Sequence, residues 1–195
     1  MNEKTLDVSI RFNDSPRVFG ALLVPQRAAI VSRVGPAAMA RALASVPRVV
    51  RDEYEALRED TWCRSETVEQ VFVAIAHETG IDASDLVASS VHDAITGTVA
   101  RIWRALLVMN SDDALLGRTP RFYARSYDRG SLTAERIGRG HSELVLEGWH
   151  DVPELHAVGI GAGVRAVMML AGRSDVRVSS TRDGEFVRFD VTWRA

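Results

Sequence analysis

The chain has 195 residues, 46% of them hydrophobic and 26% charged, which is the make-up of one globular domain with room for a proper core. Its formal charge of −2, with Lys4 the only lysine and the arginines interleaved with acids, gives no electrostatic basis for binding nucleic acid or an anionic membrane. The single cysteine, Cys63, excludes an internal disulfide and a CxxC metal site.

The opening "MNEKTLDVSIRFNDSP" lacks a basic and an apolar leader region, and no run of about 18 apolar residues occurs, so the expected location is cytoplasmic without membrane insertion. Residues 1–16 read as a polar tail and 17–195 as a single domain, helical over 17–130 and sheet-forming over 131–195.

"RVFGALLV", between Pro16 and Pro25, suits a strand or extended segment. "PQRAAIVSRVG" and "PAAMARALASV" follow as short helices, each opened by proline, and "RVVRDEYEALRE" as a charged third. In "SETVEQVFVAIAHETG", Ser65 can cap, Val68, Val71, Phe72, Ile75 and Ala76 form one stripe, and Gly80 stops the helix.

The longest helical pattern runs from Asp82 through Val87, Val91, Ile95, Val99, Ile102 and Leu106 to Met109, with Gly97 as a point of bending. Short helices are expected in "SDDALLGR" and "PRFYARSYDRG".

From Ser131 the period changes to two. "LTAERIG" and "HSELVLEGW" read as strands, "LHAVGIGAGVRAVMMLAG" as a helix, and "DVRVSS" and "EFVRFDVTW" as a hairpin around "TRDG". Val187, Phe189, Val191 and Trp193 alternate with polar residues, so the last strand has one buried face. Helices first, then β-β-α-β-β, predicts an α+β domain with a helical half packed on a four-stranded antiparallel sheet.

Gly159, Gly161 and Gly163 suggest a phosphate loop, but position 164 is valine and "HDVPELHAV" before them is no buried strand. These glycines are therefore expected to let one helix face approach the sheet.

No histidine pair or acid cluster has metal-ligand spacing, and no GxSxG, HExxH or Walker pattern occurs. His92 lies beside the apolar stripe of the long helix and Cys63 reads as structural, so no catalytic residue, metal or cofactor is expected and the chain reads as a non-enzyme. Trp62, His92, Trp103, Phe122, Tyr123 and Trp149 fall near the junction of helices and sheet and are candidates for lining an apolar ligand pocket.

"GTVARIWRALLVMNSDDALL", "PRFYARSYDRG", "ERIGRGHSELVLEGW", "GIGAGVRAVMMLAG" and "FVRFDVTW", with "VFGALLVPQRAAIVSRVGPAAMARAL" before them, follow one plan. It resembles an uncharacterised family of myxobacterial proteins, similar in turn to the superfamily of haem-NO-binding domains, 4-vinyl-reductase-like domains and TRAPP trafficking components.

The resemblance implies a regulatory domain that senses a small hydrophobic molecule between helices and sheet, or alternatively a scaffold that pairs with itself or a protein partner. An enzyme using Cys63 is a distant third reading. The haem-NO-binding domains carry a tyrosine–x–serine–x–arginine signature before the crossing helix and a proximal histidine. Here "HDVPELHAVGIGAG" stands there, and "YARSYDR" from Tyr123 to Arg129 is earlier and differently spaced. "SSTRDGEFVRF" also lacks the cysteines that 4-vinyl-reductase-like domains often carry.

Overall fold

The computed structural model describes residues 15–99 and 111–194. The chain enters through a short strand, β1 (Arg17–Phe19), and passes without a loop into helix α1 (Gly20–Val34). Three residues of "RVFGALLV" are thus extended and the rest are helical, correcting the expectation of one extended segment.

The cause lies outside the segment. Gly20 donates its amide to the Thr61 carbonyl at 2.8 Å, and an ideal Cβ on it would stand 1.8 Å from the Arg58 carbonyl oxygen. Only a residue without a side chain lets the Arg58–Thr61 backbone close on the helix start. Pro25 therefore lies inside α1, where it forfeits one helical hydrogen bond while Leu23, Gln26 and Ile30 still form the buried face.

Helices α2 (Pro36–Ser45) and α3 (Arg48–Glu55) follow as the sequence predicts. Strand β2 (Trp62–Arg64), which the sequence reading left unassigned, pairs antiparallel with β1, Val18 facing Cys63. Helix α4 (Ser65–Thr79) buries Val68, Val71, Phe72 and Ile75 and stops at Gly80, whose φ of +70° is left-handed.

Ser65 does not cap α4, since no side chain caps it. Ser65 is buried as the first helical residue and donates its amide to the Pro16 carbonyl at 2.8 Å. Helix α5 (Ala83–Val99) is started by Asp82, whose carboxylate accepts from the amides of Ser84 and Asp85. It runs unbroken through Gly97, while Trp103, Ile102, Leu106 and Met109 lie outside the described residues.

Short helices α6 (Asp112–Leu116) and α7 (Thr119–Ser126) lead to the sheet of β3 (Ser131–Gly138), β4 (His141–Glu147), β5 (Ser174–Asp183) and β6 (Phe186–Arg194), with α8 (Glu154–Leu170) crossing between the two hairpins. The strand order is β3-β4-β6-β5, all neighbours antiparallel. The last hairpin is tight, as expected, but β5 continues through Thr181–Asp183, and Gly184 and Glu185 make the turn, with Gly184 at φ +60°.

Val187, Phe189, Val191 and Trp193 are all buried, as their alternation requires. One apolar cluster lies between the sheet, α6, α7 and α8, and a second among α1–α5. Ile95 and Tyr127 pack against both.

Candidate functional site

Helix α8 lies between α5 and the sheet, and its glycines serve both sides. Positions four apart share a helix face, whereas a residue two along points nearly opposite. The ideal Cβ of Gly159 falls 3.4 Å from Val87 and that of Gly163 falls 3.6 Å from Ile95, so these two face α5. That of Gly161 falls 3.3 Å from Val178 and 3.7 Å from Phe189, toward the sheet. The expected single glycine face is thereby corrected to two. All three glycines sit mid-helix, where no free amides face a phosphate, so the nucleotide reading has no structural basis.

Beside this sandwich a cleft of about 610 Å3 opens between α5, α8 and the edge strand β5. That volume falls within the range of roughly 300–1,000 Å3 usual for small-molecule sites. Its apolar surfaces come from Val158 and Ala162 of α8 and Val178 of β5, with the buried Ala157 and Phe189 behind them. Its polar groups are Asp85, Ser89 and His92 on α5, Arg165 on α8 and Ser180 on β5. At the mouth, Arg33 and Asp93 form an ion pair of 2.8 Å, both side chains close to half exposed.

His92 carries the anomaly of this site. Its Nδ1 is buried and has no hydrogen-bond partner among the described residues. A buried polar atom without a partner ordinarily costs about 1–3 kcal/mol, and Ser142 Oγ and Trp193 Nε1, away from the cleft, share the condition.

Of the expected pocket residues that are described, His92 alone belongs to this cleft. Tyr123 and Trp149 are buried in an aromatic cluster behind it: Tyr123 stacks on Tyr127 with ring centres 4.8 Å apart, and Tyr127 and Trp149 both pack on His156. Tyr123 donates its hydroxyl to the Arg129 carbonyl at 2.7 Å. Trp62 is 41% exposed and packs on Phe19, and Phe122 is 54% exposed. Trp103 lies outside the described residues.

His156, on α8, is buried and hydrogen-bonds through Nε2 to the Ser65 carbonyl at 3.1 Å. Burial holds its imidazole below the usual histidine range, and the Ser65 bond only partly opposes this. It is a neutral pin between α8 and α4.

Cys63 is buried, and burial with the nearby Glu53 carboxylate pushes its thiol up to about 12. Arg64 cannot reverse this because it is committed to Glu53, with its Nε 2.8 Å from that carboxylate. The thiol remains protonated at neutral pH, so Cys63 is no nucleophile.

Sequence reasoning missed Arg33, Asp85, Asp93, Arg165 and Ser180. Asp85, Ser89 and His92 recur at steps of four and three, a polar stripe alongside the apolar one that the sequence does display. The others come from separate elements, and no spacing announces them.

The architecture is shared with haem-NO-binding (H-NOX) domains. The Fe(II) unliganded H-NOX protein from K. algicida superimposes with a TM-score of 0.66 at 10% identity, over 91% of this chain and 97% of that one. An oxygen-binding H-NOX domain related to soluble guanylate cyclases superimposes with a TM-score of 0.62 at 10% identity, over 90% and 95%. At that identity the likeness is one of fold. No protein-family model and no curated protein matches the sequence. These comparisons give no support to the expected likeness to 4-vinyl-reductase-like domains, trafficking components or a myxobacterial family.

The residues present do not fit a haem. A porphyrin between two protein layers needs about 7 Å, two van der Waals contacts deep. Here α5 side chains already stand 3.4–3.9 Å from the Cβ positions of Gly159 and Gly163. Residues 149–153, ahead of the crossing helix, are Trp, His, Asp, Val and Pro, without the tyrosine, serine and arginine of the H-NOX signature. Among the five histidines, His156 is committed to Ser65, His141 to Asp190 at 2.6 Å, His150 faces Glu185 and His77 is exposed, while His92 stands on α5 between Val91 and Ile95, where that helix packs directly on α8. No group of three or more potential metal-ligating side chains converges among the described residues, and no helix among them is long and apolar enough to cross a membrane.

Proposed function

We propose that this chain is a non-enzymatic, ligand-sensing regulatory domain. It binds a small, partly apolar molecule other than haem in the cleft between α5, α8 and β5. The observation that carries this reading is the cleft itself, of ligand size, in which apolar and polar side chains of α5, α8 and β5 converge.

His92 is the ligand contact among the six residues singled out by sequence. Tyr123 and Trp149 act from behind, holding His156 and with it the start of α8. The shared contacts of Ile95 and Tyr127 support treating residues 17–195 as one unit. A ligand here touches α5 on one side and the sheet on the other, so any preference between two arrangements of the halves becomes a regulatory output.

The test is native mass spectrometry of protein purified from its own host. The expected spectrum shows a stoichiometric small organic adduct that is displaced on unfolding. Protein from active cells that carries no adduct, and that binds no member of a metabolite mixture, overturns the reading.

A further inference from the structure

We infer that the cleft takes a short peptide with free ends, extended beside β5, its C-terminal carboxylate on Arg165 and its N-terminal ammonium on Asp85. This inference rests on the ligand-binding reading above and adds the chemical class.

Arg33 and Asp93 neutralise each other at the mouth, which leaves Arg165 and Asp85 as the charged cleft residues without an ion-pair partner among the described residues. Both are exposed, so a ligand reaches them without any rearrangement. Arg165 is also oriented. Its Nε donates to the Val176 carbonyl at 3.2 Å, which fixes the guanidinium plane and leaves the terminal nitrogens to grip a carboxylate.

The two charges stand far apart. Gly159 meets Val87 and Gly163 meets Ile95, so α5 and α8 run in the same direction. Arg165, just past Gly163, lies close to the level of Ile95, which the helical rise places about 15 Å along α5 from Asp85. No single small ion reaches both. A dicarboxylate sets one charge against Asp85, and a diamine sets one against Arg165. A molecule with an anion at one end and a cation at the other satisfies both. An extended chain of four residues covers about 13 Å, and the two side chains supply the rest of the reach.

Strand β5 runs along the same length. Arg165 bonds the Val176 carbonyl, Gly161 faces Val178, and the Arg182 guanidinium donates to the Val152 carbonyl, so β5 runs opposite to α8. Ser180 therefore lies toward the Asp85 end of the cleft. As the last strand in the order β3-β4-β6-β5, β5 has no strand on its other edge among the described residues. Ser179, Ser180 and Thr181 are exposed, and β5 has neither the proline nor the lysine that commonly blocks such an edge. A peptide held by its ends as above lies antiparallel to β5, where main-chain hydrogen bonds give affinity with little regard to its sequence. Its inward side chains meet Ala88, Val158 and Ala162, a partly exposed wall of small apolar groups.

Calorimetry and amide NMR of the full chain compare tetraalanine with its C-terminal amide, with its N-acetyl form, and with aminododecanoate, which carries both charges at a matching span without a peptide backbone. Tetraalanine is expected to bind about tenfold or more tightly than each of the other three. Arg165→Gln is expected to erase its advantage over the C-terminal amide alone, and Asp85→Asn its advantage over the N-acetyl form alone. Both positions are exposed, so both variants should fold as the parent does.

Equal binding of the three peptides, with shifts at Val178 and Ser180, overturns recognition of the ends and leaves the cleft reading standing. Aminododecanoate binding as tightly as tetraalanine overturns the peptide class, again without touching the cleft. An advantage that survives in the variant meant to erase it also overturns the assignment. If no peptide binds while the native mass spectrum shows an adduct, this inference alone falls. If neither is seen, both readings fall.

Discussion

Replacing Gly20 with alanine is expected to destabilise the protein by about 3 kcal/mol or more, against the usual direction for a glycine in a helix. In a free helix this change gains about 1 kcal/mol, because alanine loses less backbone freedom on folding. At Gly20 the added carbon would overlap the Arg58 carbonyl oxygen at 1.8 Å and crowd the Arg58 carbonyl carbon and the Thr61 carbonyl oxygen at 2.9 Å, all three backbone atoms. Relief requires the Arg58–Thr61 segment to retreat, which breaks the Gly20–Thr61 hydrogen bond and pulls β2 from β1.

Gly97→Ala is the matched control. Its Cβ meets nothing within 4 Å, so the ordinary gain of about 0.5–1 kcal/mol should appear there. Urea unfolding of the two variants beside the parent measures both signs. A Gly20→Ala protein as stable as the parent would show that the strand-to-helix junction is not closed as described.

Truncation of Phe189 to alanine is expected to cost about 3–5 kcal/mol. Phe189 is fully buried, faces Leu144 across the β4–β6 ladder, and lies under Gly161 of α8. No neighbour can fill the space without moving the crossing helix. Phe189→Leu keeps most of the volume and should lose less than half as much. The two unfolding midpoints, measured together, separate a void from a general loosening of the sheet. Equal small losses in both variants would contradict the central place given to this ring.

The sheet half was legible in the sequence because its information is local. Val187 to Trp193 alternate strictly, and the turn signal at Asp183-Gly184 lies within one residue of the Gly184-Glu185 turn, so each strand declares its own buried face. The start of the chain was not legible, because α1 begins where the Arg58–Thr61 backbone permits, some forty residues later in the sequence. Ser65 shows the same limit. It has the chemistry of a cap, but the neighbouring β1 segment and His156 claim its backbone groups first.

The glycines of α8 were correctly read as packing residues, but their division between two faces depends on a partner on each side. At the candidate site only His92 was found, since the groups that meet it come from α1, α8 and β5 and have no common spacing.

Hemin titration, followed at the Soret band, is the most direct measurement of whether this H-NOX-like fold has exchanged a haem slot for a different cleft. With α5 packed on the glycines of α8 and no porphyrin-deep gap between them, the expected spectrum is the broad, unsaturating absorbance of adventitious hemin. It should be unchanged in His92→Ala and His156→Ala. A sharp band saturating at one hemin per chain, and lost in either variant, would contradict the account.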